Sequence, residues 1–393
     1  MSYTVCAMPS SEPRPHLVPV YTAERGILEG PAIRLAVGET VLGRDEGTGL
    51  LAFPGDSLVS RRHARLSVSD EPWRVAIEDL TSKNGTFVNG RPIETIGLVD
   101  GDVVRMGQSF FVVRWRSRPE ESASDIPGRA PGQIRMRAEI ERIDPHVRLV
   151  MLHGSEGCVF DNATAAIHRR MNPEGGIQEL DGATVELEVL ARLLQGAATV
   201  VVSNVDSLKA EAIGLLAGLP MAPVIATTTA DLDCLMGDGT LGTAGVEFQR
   251  VIRVPRLVER RDDLLGLLKA ALGEDSPPIS IDLIETLLIY GWPGDVMELI
   301  EVAMELRIRG AGLDALVTEL VSPRLRGGRT GRFGANDPLT QVDVRRPVPS
   351  RPDLEGLMTI HNGDVDSIAD VLGRSRMQVV AWIRQYGLDG DDA

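Results

Sequence analysis

The feature that most restricts the fold of this chain is a run of short strand-like segments between residues 27 and 116. Segments rich in β-branched and aromatic residues alternate there with turn sequences, and no long helical period interrupts them. This pattern predicts a β-sandwich. The candidate strands are Ala32–Val37, Glu39–Leu42, Ala64–Val68, Trp73–Asp79 and Ser109–Trp115.

The rest of the chain has different patterns of hydrophobic periodicity, which divide it into further segments. Strand-like and helical stretches alternate in the middle of the chain, and this predicts a parallel sheet covered by helices. Helical periodicity follows, and a small all-α segment ends the chain. The predicted organisation is a disordered tail (1–19), a β-sandwich (20–116), a linker (117–133), an α/β subdomain (134–253), a helical lid subdomain (254–321), a linker rich in Arg, Pro and Gly (322–352) and an all-α domain (353–390).

Composition excludes several classes of protein. The formal net charge of −15 argues against non-specific coating of nucleic acid, so any DNA binding needs a local basic surface. The three cysteines lie far apart without a CxxC pair, which predicts no disulfide framework and no zinc site. No apolar run approaches the roughly 20 residues of a membrane span, and the first residues lack the apolar core of a signal peptide. We therefore expect a cytoplasmic protein without a metal, a cofactor or membrane contact.

Three polar clusters lie in turns of the predicted sandwich, namely Gly43-Arg44, Ser60–His63 and Ser82–Gly90. A phosphate dianion needs charge-assisted donors that converge from several loops. Arg, Ser, Lys and Asn side chains supply donors of this kind. Two Asn-Gly steps in the third cluster favour tight turns. The clusters therefore predict a phosphate-binding surface at one end of the sandwich.

The order of these motifs resembles the forkhead-associated (FHA) family, whose pattern is GR, SRxH, SxNGTxxNG and a later GD, here within Asp100–Asp102. The resemblance implies binding of a threonine-phosphorylated protein. Two alternatives remain, namely ordinary sandwich turns and an FHA domain that binds unphosphorylated partners. The resemblance implies phosphopeptide contacts for Arg44, Ser60, Arg61, Lys83 and Asn84, and support of the loops for Gly43, His63, Gly85 and Asn89.

A strand, a glycine loop and a helix follow one another from Val147 to His168, which is the context of a P-loop. The loop lacks the lysine and the Ser/Thr of GxxxxGK[ST]. The region up to Glu305 resembles the AAA+ domain of bacterial activators that work with sigma-54 RNA polymerase. Aligned on that family, the nucleotide-site positions hold Gly154 and Gly157 in the loop, Phe160 in place of the lysine, Ser203 and Asn204 in place of Asp-Glu, and Met297 in place of the sensor II arginine.

These replacements predict a nucleotide site that does not function. Phe160 cannot neutralise phosphate as lysine does. Ser203 and Asn204 are poor substitutes for carboxylates on Mg²⁺. The family's GAFTGA loop, which engages the sigma factor, is missing between Gln195 and Thr199. We expect a scaffold that is not an enzyme; nucleotide binding without hydrolysis and a divergent ATPase are the alternatives.

The last helical segment resembles the Fis-type helix-turn-helix that closes the same activators. Its residues include Gly363-Asp364, Leu372-Gly373 and Tyr386–Leu388. Local acidity from Asp353 onward opposes DNA affinity, so a bundle that serves protein interaction or dimerisation is the alternative. The resemblance implies DNA contacts for Arg374, Ser375, Arg376, Gln378 and Arg384.

Together these segments predict a transcription regulator that binds a phosphothreonine protein and DNA. Its degenerate AAA+ domain would form homo-oligomers, or hetero-oligomers with an active AAA+ paralogue. The alternative is a signalling adaptor or scaffold in a Ser/Thr kinase pathway that does not bind DNA.

Overall fold

The chain divides into two compact units in the computed structural model. The first contains residues 1–118, 261–291 and 298–393, and the second contains residues 119–260 and 292–297. The structure describes residues 13–27, 31–45, 50–70, 73–116, 126–218, 220–232, 235, 241, 248–326, 349–372 and 376–388.

The N-terminal part of the first unit is a β-sandwich. One sheet has the order β2-β1-β12-β11-β8-β9 with β3 paired to β1, and the other has the order β10-β7-β6-β4-β5. The strands are β1 (Arg14–Thr22), β2 (Gly26–Ile27), β3 (Ile33–Arg34), β4 (Gly38–Gly43), β5 (Leu50–Ala52), β6 (Ala64–Asp70), β7 (Trp73–Asp79), β8 (Thr86–Val88), β9 (Arg91–Ile93), β10 (Thr95–Leu98), β11 (Val103–Met106) and β12 (Ser109–Arg116).

Alternating apolar side chains build the core between the two sheets. Leu66 and Val68 of β6 point inward with Val75 and Ile77 of β7, while the residues between them are more exposed. This two-residue period is the one expected for strands with one buried face. The core fixes the register of the strands, and the strands in turn fix where the connecting loops emerge.

The predicted disordered tail over residues 1–19 is wrong for residues 14–19, which belong to β1. This strand pairs antiparallel with β12 from Arg14 opposite Arg116 onward. Leu17 is buried in the sandwich core, and this burial stabilises the strand. Two prolines inside β1, Pro15 and Pro19, concealed it, because proline is depleted within strands.

The helices belong to both units and follow the sandwich in the chain. They are α1 (Pro131–Glu141), α2 (Asp161–Met171), α3 (Leu187–Leu194), α4 (Ala210–Ala217), α5 (Arg261–Leu272), α6 (Ile281–Ile289), α7 (Asp295–Gly310), α8 (Pro323–Arg326), α9 (Arg351–Ile360), α10 (Val365–Leu372) and α11 (Arg376–Gln385). Short 3₁₀ helices span Val205–Ser207, Leu257–Arg260 and Thr318–Leu320. In the described part of the chain, no helix has the length and apolar character needed to cross a membrane.

The second unit is built on a parallel five-stranded sheet of order β14-β15-β16-β13-β17. Val150 and Leu152 pack in one core with residues of α1 and α2, whereas Leu149 and Met151 pack in another with residues of α3 and α4. Helices therefore cover both faces, and the predicted succession of a sandwich and a parallel α/β domain is confirmed. The strands are β13 (Leu149–His153), β14 (Ile177–Asp181), β15 (Thr199–Ser203), β16 (Val224–Thr228) and β17 (Arg250–Arg253).

Three helices, α9 to α11, form a small bundle in the first unit. Leu354, Ile368 and Val379 share its apolar core with Ile308 of α7. Residues 373–375, which carry the predicted turn between α10 and α11, lie outside the described residues. The helix-turn-helix itself therefore stays a prediction.

Candidate functional site

The three polar clusters of the sandwich line one open cavity of about 630 Å³. All five residues predicted to contact a phosphopeptide contribute to its wall, and their contacts with a ligand stay predictions. The lining residues are Arg44, Asp45, Ser57, Leu58, Val59, Ser60, Arg61, Arg62, Lys83 and Asn84.

The end of β4 is held tightly against the second cluster. The Arg44 backbone N–H donates to the Ser60 carbonyl at 3.0 Å. At Gly43, an added Cβ would lie 2.0 Å from the Arg61 carbonyl oxygen, so only glycine permits this approach. This close contact gives a physical reason for the supporting role predicted for Gly43.

The third cluster is tied to the second by two hydrogen bonds. The Lys83 backbone N–H donates to Ser60 Oγ at 3.1 Å, and Asn84 Nδ2 donates to the Leu58 carbonyl at 2.7 Å. Ser60 Oγ is the acceptor in the bond with Lys83, so the Ser60 hydroxyl can still donate its own proton to a ligand. The loops that carry the candidate phosphate donors are thus joined before any ligand binds.

The cavity is strongly basic in an otherwise acidic chain. Arg44, Arg61, Arg62 and Lys83 are exposed there, and with Asp45 they give the lining a formal charge of +3. Among the residues that the structure describes, these four cations form no recorded ion pair. A phosphothreonine carries a charge of about −1.5 to −2 at neutral pH. The cavity therefore offers unpaired cations and hydroxyl donors suited to a phosphate ester.

His63 is buried beneath the cavity and connects two of the clusters. Its Nδ1 lies 3.0 Å from the Ser60 backbone nitrogen, and its Nε2 lies 3.1 Å from the Gly85 carbonyl oxygen. Because a backbone N–H is always a donor, Nδ1 accepts and the proton is assigned to Nε2, which donates to Gly85. Gly85 has φ +76°, a conformation that favours glycine. His63 therefore supports the loops in its neutral form.

Asn89, the last predicted supporting residue, joins β8 to the turn before β11. Its Nδ2 donates to Asp102 Oδ1 at 2.8 Å, and its Oδ1 accepts from the Val103 backbone N–H at 2.9 Å. The φ of Asn89 is +50°, which asparagine tolerates better than most residues. Asp102, part of the later Gly-Asp motif, thus has a defined structural partner.

Two carboxylates that support the loops were missed from the sequence. Asp79 accepts from Ser82 Oγ at 2.6 Å and from Thr86 Oγ1 at 2.7 Å. Burial raises the pKa of Asp79, but its hydrogen bonds with Ser82 and Thr86 outweigh burial and hold the pKa below the usual value. Asp56 accepts from the Leu58 N–H at 3.0 Å, and the Pro-Gly-Asp turn sequence could have indicated it.

The neutral state of His63 predicts a dependence of stability on pH. Burial lowers the pKa of His63 below its ordinary value near 6.5. The unfolded chain then binds the proton first, so stability is complete above about pH 6.5 and falls as the pH drops toward the folded-state pKa. We expect the free energy of unfolding to decrease by at most about 1.4 kcal/mol per pH unit in this window.

Chemical denaturation between pH 7.5 and 5 measures this slope. In a His63→Gln variant the slope should be smaller, because the titrating ring is absent while the other titratable groups remain. Identical slopes in the two proteins would contradict the assigned role of His63.

The glycine loop after β13 is packed against residues of the same unit. An added Cβ at Gly157 would lie 2.0 Å from the Gly294 carbonyl oxygen, and the Gly157 carbonyl accepts from the Met297 N–H at 3.0 Å. Gly154 is buried, with its N–H donating to the Thr228 carbonyl. Phe160 precedes α2 and packs against the apolar core. Protein groups thus occupy the surroundings of this loop.

A buried carboxylate also lies beside this loop. Asp295 accepts a hydrogen bond from Ser155 Oγ, and it accepts from the Leu257 N–H at 2.9 Å. Burial and the charge of Asp295 raise the pKa of Cys158 to about 12. The side chain next to this loop is therefore an aspartate that accepts hydrogen bonds, whereas phosphate binding needs charge-assisted donors.

The residues at the end of β15 form side-chain hydrogen bonds with β14. Ser203 Oγ donates to the Leu180 carbonyl at 3.1 Å, and Asn204 Nδ2 donates to Asp181 Oδ1 at 3.0 Å. Within the described ranges, no cluster of three or more His, Cys, Asp or Glu side chains suits a metal ion.

The residues predicted to contact DNA are only partly described. Arg376 is exposed on α11 and forms an ion pair with Asp366 at 3.2 Å. Arg384 is exposed on the same helix. Arg374, Ser375 and the side chain of Gln378 lie outside what the structure describes.

Residues 40–107 match the FHA domain family. The FHA domain-containing protein FhaA of Mycobacterium tuberculosis is 38% identical over 85 residues, which is 22% of this chain and 15% of FhaA. An FHA domain from a structural study of phosphothreonine-dependent FHA interactions is 31% identical, with a TM-score of 0.23, and covers 27% of this chain and 99% of its own. The chain thus spans less than a sixth of the length of FhaA.

A longer but more distant similarity extends beyond the sandwich. The probable regulatory protein HrpR from the pathogenicity locus of Pseudomonas syringae pv. syringae is 22% identical over 226 residues. The match covers 55% of this chain and 67% of HrpR. The chain therefore carries an FHA domain near its N-terminus, and over much of its length it has distant similarity to a regulatory protein.

Proposed function

We propose that this chain is a transcription regulator, similar to sigma-54 activators, that responds to a threonine-phosphorylated protein. The observation that carries the proposal is the convergence of Arg44, Ser60 and Lys83 on one basic cavity whose loops are already joined. Preorganised, unpaired donors favour a dianionic ligand because little reorganisation precedes binding. The phosphothreonine-dependent interactions of a related FHA domain support the same ligand class.

Titration of the full chain with matched peptides tests this ligand class. A phosphothreonine peptide library serves as the probe, with the unphosphorylated and phosphoserine forms of each binding sequence as controls. We expect measurable affinity for phosphothreonine only. Equal affinity for the unphosphorylated peptides would refute phosphate recognition and favour an FHA domain with another ligand.

The middle of the chain acts as a scaffold without ATPase activity in this proposal. The buried Asp295 beside the glycine loop and the apolar packing of Phe160 support this role. The scaffold serves in homo-oligomers or in mixed oligomers with an active AAA+ paralogue. ATP turnover that disappears on substitution of Asp161 or Asp206 would overturn the non-enzymatic role.

The C-terminal bundle binds DNA in this proposal, and Arg384 is the described residue available for phosphate contact. A gel-shift assay on genomic fragments tests it, with Arg384→Ala as the variant and salt dependence as the mark of phosphate contacts. We expect a salt-sensitive complex that Arg384→Ala weakens.

A signalling adaptor in a Ser/Thr kinase pathway is the second candidate. The ion pair of Arg376 with Asp366 favours it, because it places a carboxylate beside a predicted DNA contact. Phosphopeptide binding without any DNA complex would favour the adaptor.

A further inference from the structure

Arg105 of β11 is a buried cation on the sandwich side of the first unit. Its Nε donates to Glu285 Oε1 of α6 at 2.8 Å, and the two side chains are only 5% and 3% exposed. A buried ion pair persists only with good geometry and further hydrogen bonds. The position of this guanidinium is therefore sensitive to the groups around it.

One group that contacts Arg105 leads to the third polar cluster. The guanidinium carbon lies 3.7 Å from the centroid of the Phe87 ring. Arg105 is also opposite Phe87 in the pairing of β11 with β8. Gly85, in the loop that carries Lys83 and Asn84, lies against the Phe87 ring: a Cβ added at Gly85 would be 3.5 Å from the nearest ring carbon. Phe87 thus connects Arg105 to that loop.

A second group leads from Arg105 to the second polar cluster. An Arg105 terminal nitrogen donates to the Gly107 carbonyl at 3.4 Å, a long bond, in the turn between β11 and β12. The next residue, Gln108, donates its backbone N–H to Asp56 at 2.7 Å. Asp56 in turn accepts from the Leu58 N–H in the loop that leads to Ser60. Both loops of the cavity therefore have a connection to the same guanidinium.

We propose that Arg105 is a positioning residue of the phosphothreonine site and couples peptide binding to the packing of α6 through Glu285. The proposal rests on the proposed phosphothreonine function. A phosphate gripped by Ser60 and Lys83 fixes both loops, and these fix Phe87 and the turn at Gly107. Arg105 is then held in the geometry that Glu285 requires. Because binding linkage is reciprocal, a firmly packed α6 raises affinity for the peptide.

A matched control exists on the same face of the sandwich. Asp262 of α5 forms buried ion pairs with Arg114 and Arg116, neither of which lines the cavity. Glu285→Gln and Asp262→Asn each remove one buried carboxylate charge with little change in shape. We expect both variants to reduce stability, but only Glu285→Gln removes a partner of Arg105, the residue to which both loops are connected.

The experiment uses the full chain with a phosphothreonine peptide found in the library screen. Peptide affinity, thermal stability and amide hydrogen exchange of residues 281–289, with and without saturating peptide, are measured in each variant. In the wild type we expect the peptide to slow exchange in α6. Glu285→Gln should lose this protection and weaken binding about fivefold or more. Asp262→Asn should keep the protection and an affinity within about twofold of the wild type.

A purely structural role gives a different result, which overturns the proposal. In that case Glu285→Gln and Asp262→Asn lower affinity only in proportion to their loss of stability, and exchange in α6 does not respond to the peptide. If Glu285→Gln does not fold, Arg105→Lys provides the test, because lysine keeps the charge but loses the planar contact with Phe87. An unchanged affinity in Arg105→Lys equally overturns it. Failure of the wild type to bind any phosphothreonine peptide refutes the proposed function instead.

Discussion

Replacing Arg44 with alanine is expected to abolish most of the affinity of the full chain for a phosphothreonine peptide. The exposed guanidinium lines the cavity and pairs with no described carboxylate, so it can give its whole charge to a ligand. Loss of one partner of a hydrogen-bonded charge pair costs about 2 to 4 kcal/mol, a weakening of roughly 30- to 1000-fold. Isothermal titration or fluorescence polarisation measures the change.

The fold should survive the Arg44→Ala substitution, because the bond to Ser60 uses the backbone N–H of residue 44 and not the side chain. Arg91→Ala is the matched control, since Arg91 is an exposed arginine of β9 that does not line the cavity. It should bind almost as the wild type does. Equal affinity in both variants would show that the grip on phosphate lies elsewhere. A pull-down compared between the two, read by mass spectrometry, would also identify the partner protein.

The sandwich, and the loops whose residues line the cavity, could be predicted from the sequence because their chemistry is local. Turn sequences such as Asn84-Gly85 determine backbone conformations at single positions, and clusters such as Ser60–His63 keep several functional residues adjacent in the chain. The strands between them alternate with a period of two, so their buried face is visible without a structure. The arrangement of the cavity follows from these local rules.

The sequence could not predict features that depend on distant residues. The burial of Arg105 and Arg114 needs carboxylates about 150 residues or more away, and no local pattern connects these positions. The prolines of β1 indicate a tail, because proline is depleted within strands, whereas pairing with β12 stabilises a strand there. Asp79 is a local exception: the sequence indicates only the end of a strand there, whereas the structure shows that its carboxylate holds the loop through Ser82 and Thr86. Long-range pairing overrides local propensity for the two arginines and for β1.

Replacing Asp262 with alanine should produce a large loss of stability. Its carboxylate is fully buried and contacts Arg114 at 2.8 Å and Arg116 at 3.1 Å. Burial lowers the pKa of Arg114, but the charges of Asp262 and Asp100 outweigh burial and raise it, so Arg114 stays protonated. Alanine would remove a fully buried carboxylate from a guanidinium that is only 2% exposed. Breaking a buried pair in this way costs about 3 to 5 kcal/mol.

Two further variants separate the effect of the lost charge from the effect of lost packing. Asp100 contacts the same guanidinium at 3.2 Å but is 52% exposed, so Asp100→Ala should cost less than about 1 kcal/mol. The double variant Asp262→Ala/Arg114→Met should recover part of the stability, because the more deeply buried of the two arginine charges is removed together with its carboxylate, and only Arg116 still loses its ion pair with Asp262. Denaturant unfolding of the three variants and the wild type is followed by tryptophan fluorescence, to which Trp115, the neighbour of Arg114, contributes with the three other tryptophans. If Asp262→Ala lowers the free energy of unfolding no more than Asp100→Ala does, the buried charges do not hold α5 on the sandwich. If the added Arg114→Met substitution restores no stability, the loss in Asp262→Ala comes from packing and not from charge.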